Sequence, residues 1–347
     1  MTTSLQNRTR VLILLVAVLL LGGVGTGAVL YAADRSADRD RAQPGGPVVT
    51  RGPVSLRPGE HGAARTMVFR NMAWGPHRDE LATVPADHPD GPRTASGVQC
   101  LRFYTGGGTG ICLQAERGAL QDTYRAVVLD DHLKELRSFP VAGIPTRSRV
   151  SPSGHLAAWT VFVSGDSYAG TDFSTRTSIV DVRDWNLRDN LEDFDVVKDG
   201  KPYRAPDINI WGVTFADDNA FYATVATGGQ TYLVRGDLAA RTLTTLHQNV
   251  ECPSLSPDGT RIAYKKRVPD APVDAPWRLY VLDLATMTET ATAEQRSIDD
   301  QAVWSDGSTL LYALPGDFGA DLWTVPADGS GAAVRLLEAA VAPAYLG

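Results

Sequence analysis

The chain has 347 residues, of which 43% are hydrophobic and 21% charged, so it can bury a core and is not intrinsically disordered. Its formal net charge is −7, and no Lys/Arg cluster lies beyond the N-terminus, which argues against a nucleic-acid partner. Three cysteines are too few for a disulfide scaffold.

The first predicted element is an apolar helix over residues 11–33. This run contains no charged side chain, follows Arg8 and Arg10, and is long enough to cross about 30 Å of hydrocarbon. Because no good small-x-small cleavage site ends the run, we favour an uncleaved single-pass membrane anchor with residues 1–10 in the cytoplasm. The alternative is a signal peptide whose cleavage releases a secreted domain. Either interpretation places the rest of the chain outside the cytoplasm.

The segment from 34 to 65 is polar and rich in Pro, Gly and Arg. It lacks helical or strand periodicity beyond a short Val48-Val49-Thr50 fragment. We therefore interpret it as a flexible stalk that holds the following domain, residues 66–347, away from the membrane.

From residue 66 onward, short β-rich runs alternate with turn signals. Reversal turns with similar flanking residues lie at 106–108, 151–154, 216–219, 256–259 and 305–307, about 40 to 50 residues apart except for a longer interval before 216–219 that indicates an insertion. In the best-preserved copy, Ser-Pro-Asp-Gly at 256–259, proline presets φ and glycine accepts a positive φ. An apolar residue precedes each turn and an apolar run follows it. The period and the short strands predict an all-β fold, a β-propeller with four strands in each blade.

The number of blades follows from the two ends of this region. The turns define five blades, whereas residues 67–73 and 81–84 resemble inner and outer strands that lack a first strand. The segment 341–347 resembles the first strand at 250–256. We therefore predict six blades, with the C-terminal strand completing the N-terminal blade and removing an exposed sheet edge.

These units resemble the TolB-like β-propeller, whose repeat has an apolar-Ser-Pro-Asp-Gly turn, an apolar strand and a Leu/Ile-Tyr/Trp-Val-x-Asp-like strand. The best matches are 255–259 with 279–283, and 303–307 with 322–325. The resemblance implies a protein-binding propeller in the cell envelope, with an envelope protein or peptide as partner. The founding family has a small α/β domain before the propeller, whereas this chain has only the predicted stalk.

No motif for catalysis or for a cofactor stands out. The six histidines form no metal-spaced pair, and there is no Cys-x-x-Cys. The string Gly-Asp-Ser-Tyr-Ala at 165–169 lacks the second glycine of a nucleophile elbow. The sequence therefore predicts no catalytic residue, no metal and no cofactor, and a non-catalytic binding scaffold is favoured over an enzyme.

A ligand of a propeller is expected at a mouth of the central channel, which the first strand of each blade lines. Counting back five residues from each turn, or six from the turn at 106–108, predicts the channel residues Cys100, Thr146, Trp211, Glu251 and Asp300, with Ala342 from the split blade. We assign the binding site to Thr146, Trp211, Glu251 and Asp300, near the loops 164–174, 267–276 and 315–320. The alternative function is a carbohydrate- or small-ligand-binding propeller, or a hydrolase, that uses Glu251 and Asp300 as an acidic mouth.

Cys100 and Cys112 flank the turn at 106–108 and are expected opposite each other on adjacent antiparallel strands. Outside the cytoplasm this arrangement permits a disulfide, and two buried free thiols are the alternative. Cys252 is then unpaired and expected to be buried.

Overall fold

The computed structural model describes residues 2–39, 41, 46–57, 65–118, 121–163 and 174–346. The chain begins with helix α1 (Thr2–Arg39). Within it, Leu12–Asp34 is long and apolar enough to cross a membrane by length and composition, and none of it is buried against the rest of the protein.

The described strands form six sheets, which are the six blades of a propeller. Blade 1 begins with β1 (Val49–Arg51), β2 (Thr66–Asn71), β3 (Glu80–Pro85) and β4 (Arg93–Gln99). Blade 2 comprises β5 (Arg102–Gly106), β6 (Thr109–Glu116), β7 (Thr123–Leu129) and β8 (Glu135–Val141). Blade 3 comprises β9 (Ile144–Val150), β10 (Leu156–Val163), β11 (Ser174–Asp181) and β12 (Asn186–Arg188).

The remaining strands continue around the ring. Blade 4 comprises β13 (Asp195–Lys198), β14 (Lys201–Tyr203), β15 (Asn209–Phe215), β16 (Ala220–Thr227), β17 (Gln230–Asp237) and β18 (Thr242–Gln248). Blade 5 comprises β19 (Glu251–Leu255), β20 (Arg261–Arg267), β21 (Trp277–Asp283) and β22 (Glu289–Ala291). Blade 6 comprises β23 (Val303–Trp304), β24 (Thr309–Leu314), β25 (Asp321–Pro326) and β26 (Val334–Leu337), and β27 (Ala340–Leu346) returns to blade 1.

The split blade confirms the predicted architecture. β27 pairs antiparallel with β2, with Thr66 opposite Leu346, and is the innermost strand of blade 1. A six-bladed ring closed by the C-terminal strand therefore forms, as the sequence indicates.

Apolar residues between neighbouring blades hold the ring together. Each of six hydrophobic clusters lies between two adjacent blades, and the cluster of Met67, Phe69, Leu311 and Leu322 joins blade 6 to blade 1. Side chains on a strand alternate between faces, so each middle strand contributes to two clusters. In β24, Leu311 faces blade 1, whereas Leu310 and Tyr312 belong to the cluster shared with blade 5. This two-sided burial explains why the middle strands read as continuous apolar runs.

Local hydrogen bonds fix the reversal turns that the sequence repeats. Gly259 has a φ of +72°, which favours glycine, and its N–H donates to the Ser256 carbonyl over 2.9 Å. The Asp258 carboxylate accepts from the Thr260 N–H at 3.1 Å. The turn therefore rests on backbone geometry and its own side chains.

A buried arginine ties the N-terminal strands of blade 1 to the returning C-terminal segment. Arg93, 1% exposed, donates from Nη1 to Asn71 Oδ1 at 2.7 Å and to the Ala339 carbonyl at 3.0 Å, and from Nη2 to the Glu338 carbonyl. Burial lowers the pKa of Arg93 to about 10, which leaves the side chain charged at neutral pH. The ring closure thus combines apolar packing with a charged hydrogen-bond network.

The structure differs from the expected stalk over 34–65. Strand β1 (Val49–Arg51) adds a parallel strand to β4, and Val54 and Leu56 are buried in the cluster between blades 1 and 2. This part of the segment is ordered because its few apolar side chains fill a groove between two blades. Residues 58–64 lie outside the described residues.

Blade 4 is larger than the four-stranded pattern because it contains an insertion. The 3₁₀ helix Leu191–Asp193 and the hairpin of β13 and β14 precede its first strand, and β13 pairs in parallel with β18. The insertion explains the long interval between the turns at 151–154 and 216–219.

Candidate functional site

The central channel opens on two faces. We call the end that carries the turns between first and second strands the turn face, and the opposite end, where second and third strands connect, the loop face. A narrow cavity of about 20 Å³ lies within the channel, room for about one water molecule. A wider funnel of about 420 Å³ opens on the turn face.

Two of the four predicted site residues line the narrow cavity. Thr146 lies on β9, where its hydroxyl donates to the Thr160 carbonyl over 3.2 Å. The carboxylate of Asp300 lies 2.7 Å from Arg102 Nη1 and 3.8 Å from Arg147 Nη1. Burial raises the pKa of Asp300, but the two arginines outweigh it and hold the pKa at about 2. Asp300 is therefore an ionised, paired carboxylate.

The other two predicted residues lie outside the lining of the narrow cavity. Trp211, on β15, is 9% exposed. Glu251, on β19, is 4% exposed, and its carboxylate contacts side chains of β20 and β21, the next two strands of blade 5. Its Oε1 accepts from Arg267 Nε at 2.9 Å and from Trp277 Nε1 at 3.0 Å, and Lys265 Nζ lies 3.8 Å from Oε2.

The loop-face end of the channel therefore carries positive as well as negative side chains, whereas the sequence predicts an acidic mouth. Both carboxylates are surrounded by cationic groups on neighbouring strands, and Lys265 also contacts Asp299 at 2.6 Å. The side-chain amide of Gln301 fills the axis and donates to the carbonyls of Pro253, Val213 and Gly212. Protein groups therefore occupy this part of the channel, although Gln301 Oε1 is buried without a hydrogen-bond partner among the described residues.

The funnel on the turn face receives side chains from all six blades. Its walls carry the aromatic residues Tyr104, Phe215, Trp304 and Tyr345. Arg65 lies at the entry to β2, and Arg149 lines both the funnel and the narrow cavity, so it stands where the two meet. The funnel is the larger of the two cavities along the axis and lies at the opposite mouth from the predicted site.

Sequence reasoning missed the arginines Arg102, Arg147 and Arg149. Arg102 lies on β5 and the other two lie on β9, and they become neighbours because blades 2 and 3 bring their first strands together. A signal existed in Arg147-Ser148-Arg149, since charged residues in an inner strand must face the channel or another buried surface.

The predicted loops give little further geometry. Most of the loop 164–174 lies outside the described residues. In the connection between β20 and β21, Val273 is 96% exposed. The connection between β24 and β25 includes Gly319, whose φ is +118°.

The cysteine pair has bonding geometry. The structure joins Cys100 and Cys112 by a disulfide, with their Cα atoms 5.4 Å apart. Cys100 precedes β5, and the backbone register partner of Cys112 is Phe103. The two cysteines thus meet through their side chains and are not directly opposite. The oxidation state in the mature protein stays a prediction. Cys252 is a buried free thiol.

The described part of the chain contains no group of three or more His, Cys, Asp or Glu side chains that could hold a metal ion. Among the described residues, the funnel lining contains no acidic residue, histidine or cysteine. The arrangement therefore suits recognition of a ligand by aromatic and cationic side chains.

This architecture defines a six-bladed β-propeller, and its similarity to solved structures varies in extent. TolB from Acinetobacter baumannii superposes with a TM-score of 0.55 and 17% identity, over 82% of this chain and 67% of that one. A puromycin-hydrolysing peptidase from Mycobacterium tuberculosis gives a TM-score of 0.47 and 14% identity, over 81% and 46% of the two chains. An oligogalacturonate lyase in complex with manganese gives 0.43 and 12%, over 73% and 74%.

The fold is thus a TolB-like propeller. No protein-family profile matches the chain, and no curated protein is detectably similar to it in sequence.

Proposed function

We propose that this protein is a non-catalytic scaffold, anchored in the cell membrane by α1, whose propeller binds a protein or peptide outside the cytoplasm. The observation that carries the proposal is the turn-face funnel. A volume of about 420 Å³ falls within the usual range for binding pockets, about 300 to 1,000 Å³. Aromatic and arginine side chains are enriched at protein-binding hot spots.

The exposed apolar helix supports anchoring, and the disulfide supports export. The apolar side chains from Leu12 to Tyr31 are exposed along the helix, and in water this surface carries a large free-energy cost that a bilayer removes. The disulfide geometry of Cys100 and Cys112 fits an oxidising compartment. Export with a cleaved signal peptide is the alternative, and intact mass of the purified protein separates the two.

Site-specific photo-crosslinking in intact cells tests the binding site. A photo-reactive amino acid replaces Pro152, which is exposed at the funnel, and in a control protein it replaces Ala285, an exposed turn residue outside the funnel. We expect a discrete crosslinked protein from position 152 and none from position 285. No crosslink at 152, or the same products at both positions, contradicts the proposal.

The carbohydrate or hydrolase alternative is less favoured. It requires Glu251 and Asp300 to be available to a ligand, and both carboxylates are instead engaged by cationic side chains of this chain. Their side chains are also largely buried, with 5% and 17% exposure.

A further inference from the structure

The charge of the funnel indicates the chemistry of its ligand. Arg65 and Arg149 are the charged residues that line it. The nearby turn-face carboxylates have partners of their own. Asp218 contacts His155 at 2.6 Å, and Asp306 accepts from the Ser308 and Thr309 N–H groups. In the part of the chain that the structure describes, the funnel therefore presents two positive charges and no acidic residue on its walls.

Arg149 is buried without a carboxylate partner. The residue is 8% exposed. No carboxylate oxygen of the described residues lies within 4.0 Å of its guanidinium nitrogens, the distance expected of an ion pair. Its guanidinium donates hydrogen bonds to backbone carbonyls, from Nη2 to Ala302 at 2.9 Å and from Nη1 to Ser148 at 3.2 Å. Burial lowers the pKa of Arg149, although an arginine stays protonated in proteins. Buried charges are normally paired, because an unpaired one loses its hydration without compensation.

One aromatic ring lies against each of the two guanidinium groups. The guanidinium carbon of Arg149 lies 4.4 Å from the centroid of the Tyr104 ring, and that of Arg65 lies 4.3 Å from the centroid of Tyr345. Arg65 also donates to the Ser305 carbonyl at 2.5 Å. Rings and backbone carbonyls hold the guanidinium planes, so a bound anion would meet preorganised donors.

We propose that the funnel binds an acidic peptide segment, with one carboxylate on Arg149 at the base and a second on Arg65 at the rim. This inference rests on the proposed function and specifies its ligand. Arginine forks fit carboxylates in a bidentate way, and the aromatic walls suit the apolar parts of a peptide.

A membrane surface is a poorer occupant than a peptide. Binding to anionic lipid headgroups uses basic side chains that project from a protein surface. Arg149 is instead recessed beneath the turn face, so a flat bilayer cannot reach it. An extended peptide that enters the funnel can reach Arg149.

Fluorescence anisotropy of a labelled hexaglutamate peptide with the detergent-solubilised full-length protein tests the inference. We expect saturable binding that hexaglutamine does not reproduce and that weakens as the salt concentration rises. Arg65→Ala should weaken binding at least about tenfold, a change of about 1.4 kcal/mol. Arg149→Lys keeps the charge but removes the fork, and it should weaken binding by a similar factor.

Arg204→Ala is the matched control, since Arg204 is an exposed arginine outside the funnel and pairs with Asp195. It should bind hexaglutamate like the unaltered protein. Thermal unfolding of each variant separates lost binding from lost folding, and Arg65→Ala removes an exposed side chain, so that variant is expected to fold. Unchanged binding by folded Arg65→Ala and Arg149→Lys would overturn the inference.

Other outcomes distinguish this inference from the function on which it rests. Absence of hexaglutamate binding, together with a protein crosslinked at position 152, overturns the acidic ligand but leaves the scaffold function standing. Absence of both contradicts both. Binding of inorganic phosphate or of phosphatidylglycerol vesicles in place of hexaglutamate also overturns the peptide, and it identifies a phosphate ligand or a lipid surface.

Discussion

Thr66 and Leu346 are register partners in one antiparallel strand pair, although almost the whole propeller separates them in sequence. The pair joins the first middle strand of the ring to the last strand of the chain. Closure therefore depends on a contact that forms only when blades 2 to 6 are in place, which makes it a sensitive point for stability.

Deletion of residues 341–347 should destabilise the whole propeller. The deletion removes most of β27, uncovers the edge of β2 and opens the cluster between blades 1 and 2, which contains Ala344 and Leu346. We expect loss of the cooperative thermal transition and rapid limited proteolysis. Deletion of Gly347 alone, which leaves β27 (Ala340–Leu346) intact, is the control. A truncated protein that unfolds like the control would show that the split blade does not hold the ring closed.

Arg93→Met should cost about 2 to 4 kcal/mol of unfolding free energy. The substitution preserves much of the apolar stem but leaves the carbonyls of Ala339 and Glu338 without their donor. Urea unfolding at neutral pH measures the loss. Arg335→Met, at a half-exposed arginine in the same region, should change stability by less than about 1 kcal/mol. Equal effects at both positions would contradict a special role for Arg93.

Asp300→Asn should lower stability at neutral pH by about 2 kcal/mol. In the folded protein Arg102 and Arg147 depress the pKa of Asp300 to about 2, so its ionised form stabilises the fold above its ordinary pKa. This contribution is lost only as the pH falls through about 2. Denaturant unfolding measures the effect, with Asp195→Asn in an exposed pair as the control. A stability loss no larger than the control's would argue against a strong channel ion pair.

Glu192→Gln should stabilise the protein at alkaline pH and not at acid pH. Burial raises the pKa of Glu192 to about 7, and its Oε1 has no hydrogen-bond partner among the described residues. Its ionised form therefore penalises the fold, and the penalty grows as the pH rises from about 4.5 to 7. Because the side chain is partly exposed, we expect a gain of about 1 to 2 kcal/mol at pH 8.

The control for this change is Asp193→Asn at the exposed neighbour of Glu192. Thermal or urea unfolding at pH 4.5 and pH 8 gives the comparison. A gain that is the same at both pH values would mean that Glu192 is not held in its neutral form.

Reduction of the Cys100–Cys112 bond should destabilise blades 1 and 2. The two residues are 12 apart in sequence, and the chain-entropy estimate for such a loop is about 3 kcal/mol. Alkylation of the unfolded, unreduced protein should label Cys252 alone, and reduction should expose all three thiols. Three labelled thiols before reduction would rule out the disulfide in the exported protein.

The sequence was sufficient for the fold because its strongest signals are local. The Ser-Pro-Asp-Gly turn at 256–259 depends on backbone preferences, and the recurrence of such turns defines five blades, to which the two ends of the region add the sixth. The sequence does not predict the order of residues 49–57, because the burial of Leu56 depends on a groove that exists only when blades 1 and 2 have packed together.

The candidate site was harder to predict for a related reason. The position of Glu251 on a first strand predicts that it lines the channel. Its hydrogen-bond partners Arg267 and Trp277, however, come from the next two strands. The funnel gathers side chains from six blades, so its charge is a property of the ring. The net charge of the funnel therefore cannot be read from the sequence pattern of any one blade.

The direction in which strand β1 runs has a consequence for geometry in the cell. Val49 pairs with Arg93, so the chain arrives from α1 at the turn-face end of blade 1. The segment between Asp34 and Val49 can extend by no more than about 50 Å. In the anchored arrangement proposed above, the funnel mouth is confined to a shallow layer beside the bilayer. A ligand carried by another protein of the same membrane would meet it by two-dimensional diffusion, at a raised effective concentration.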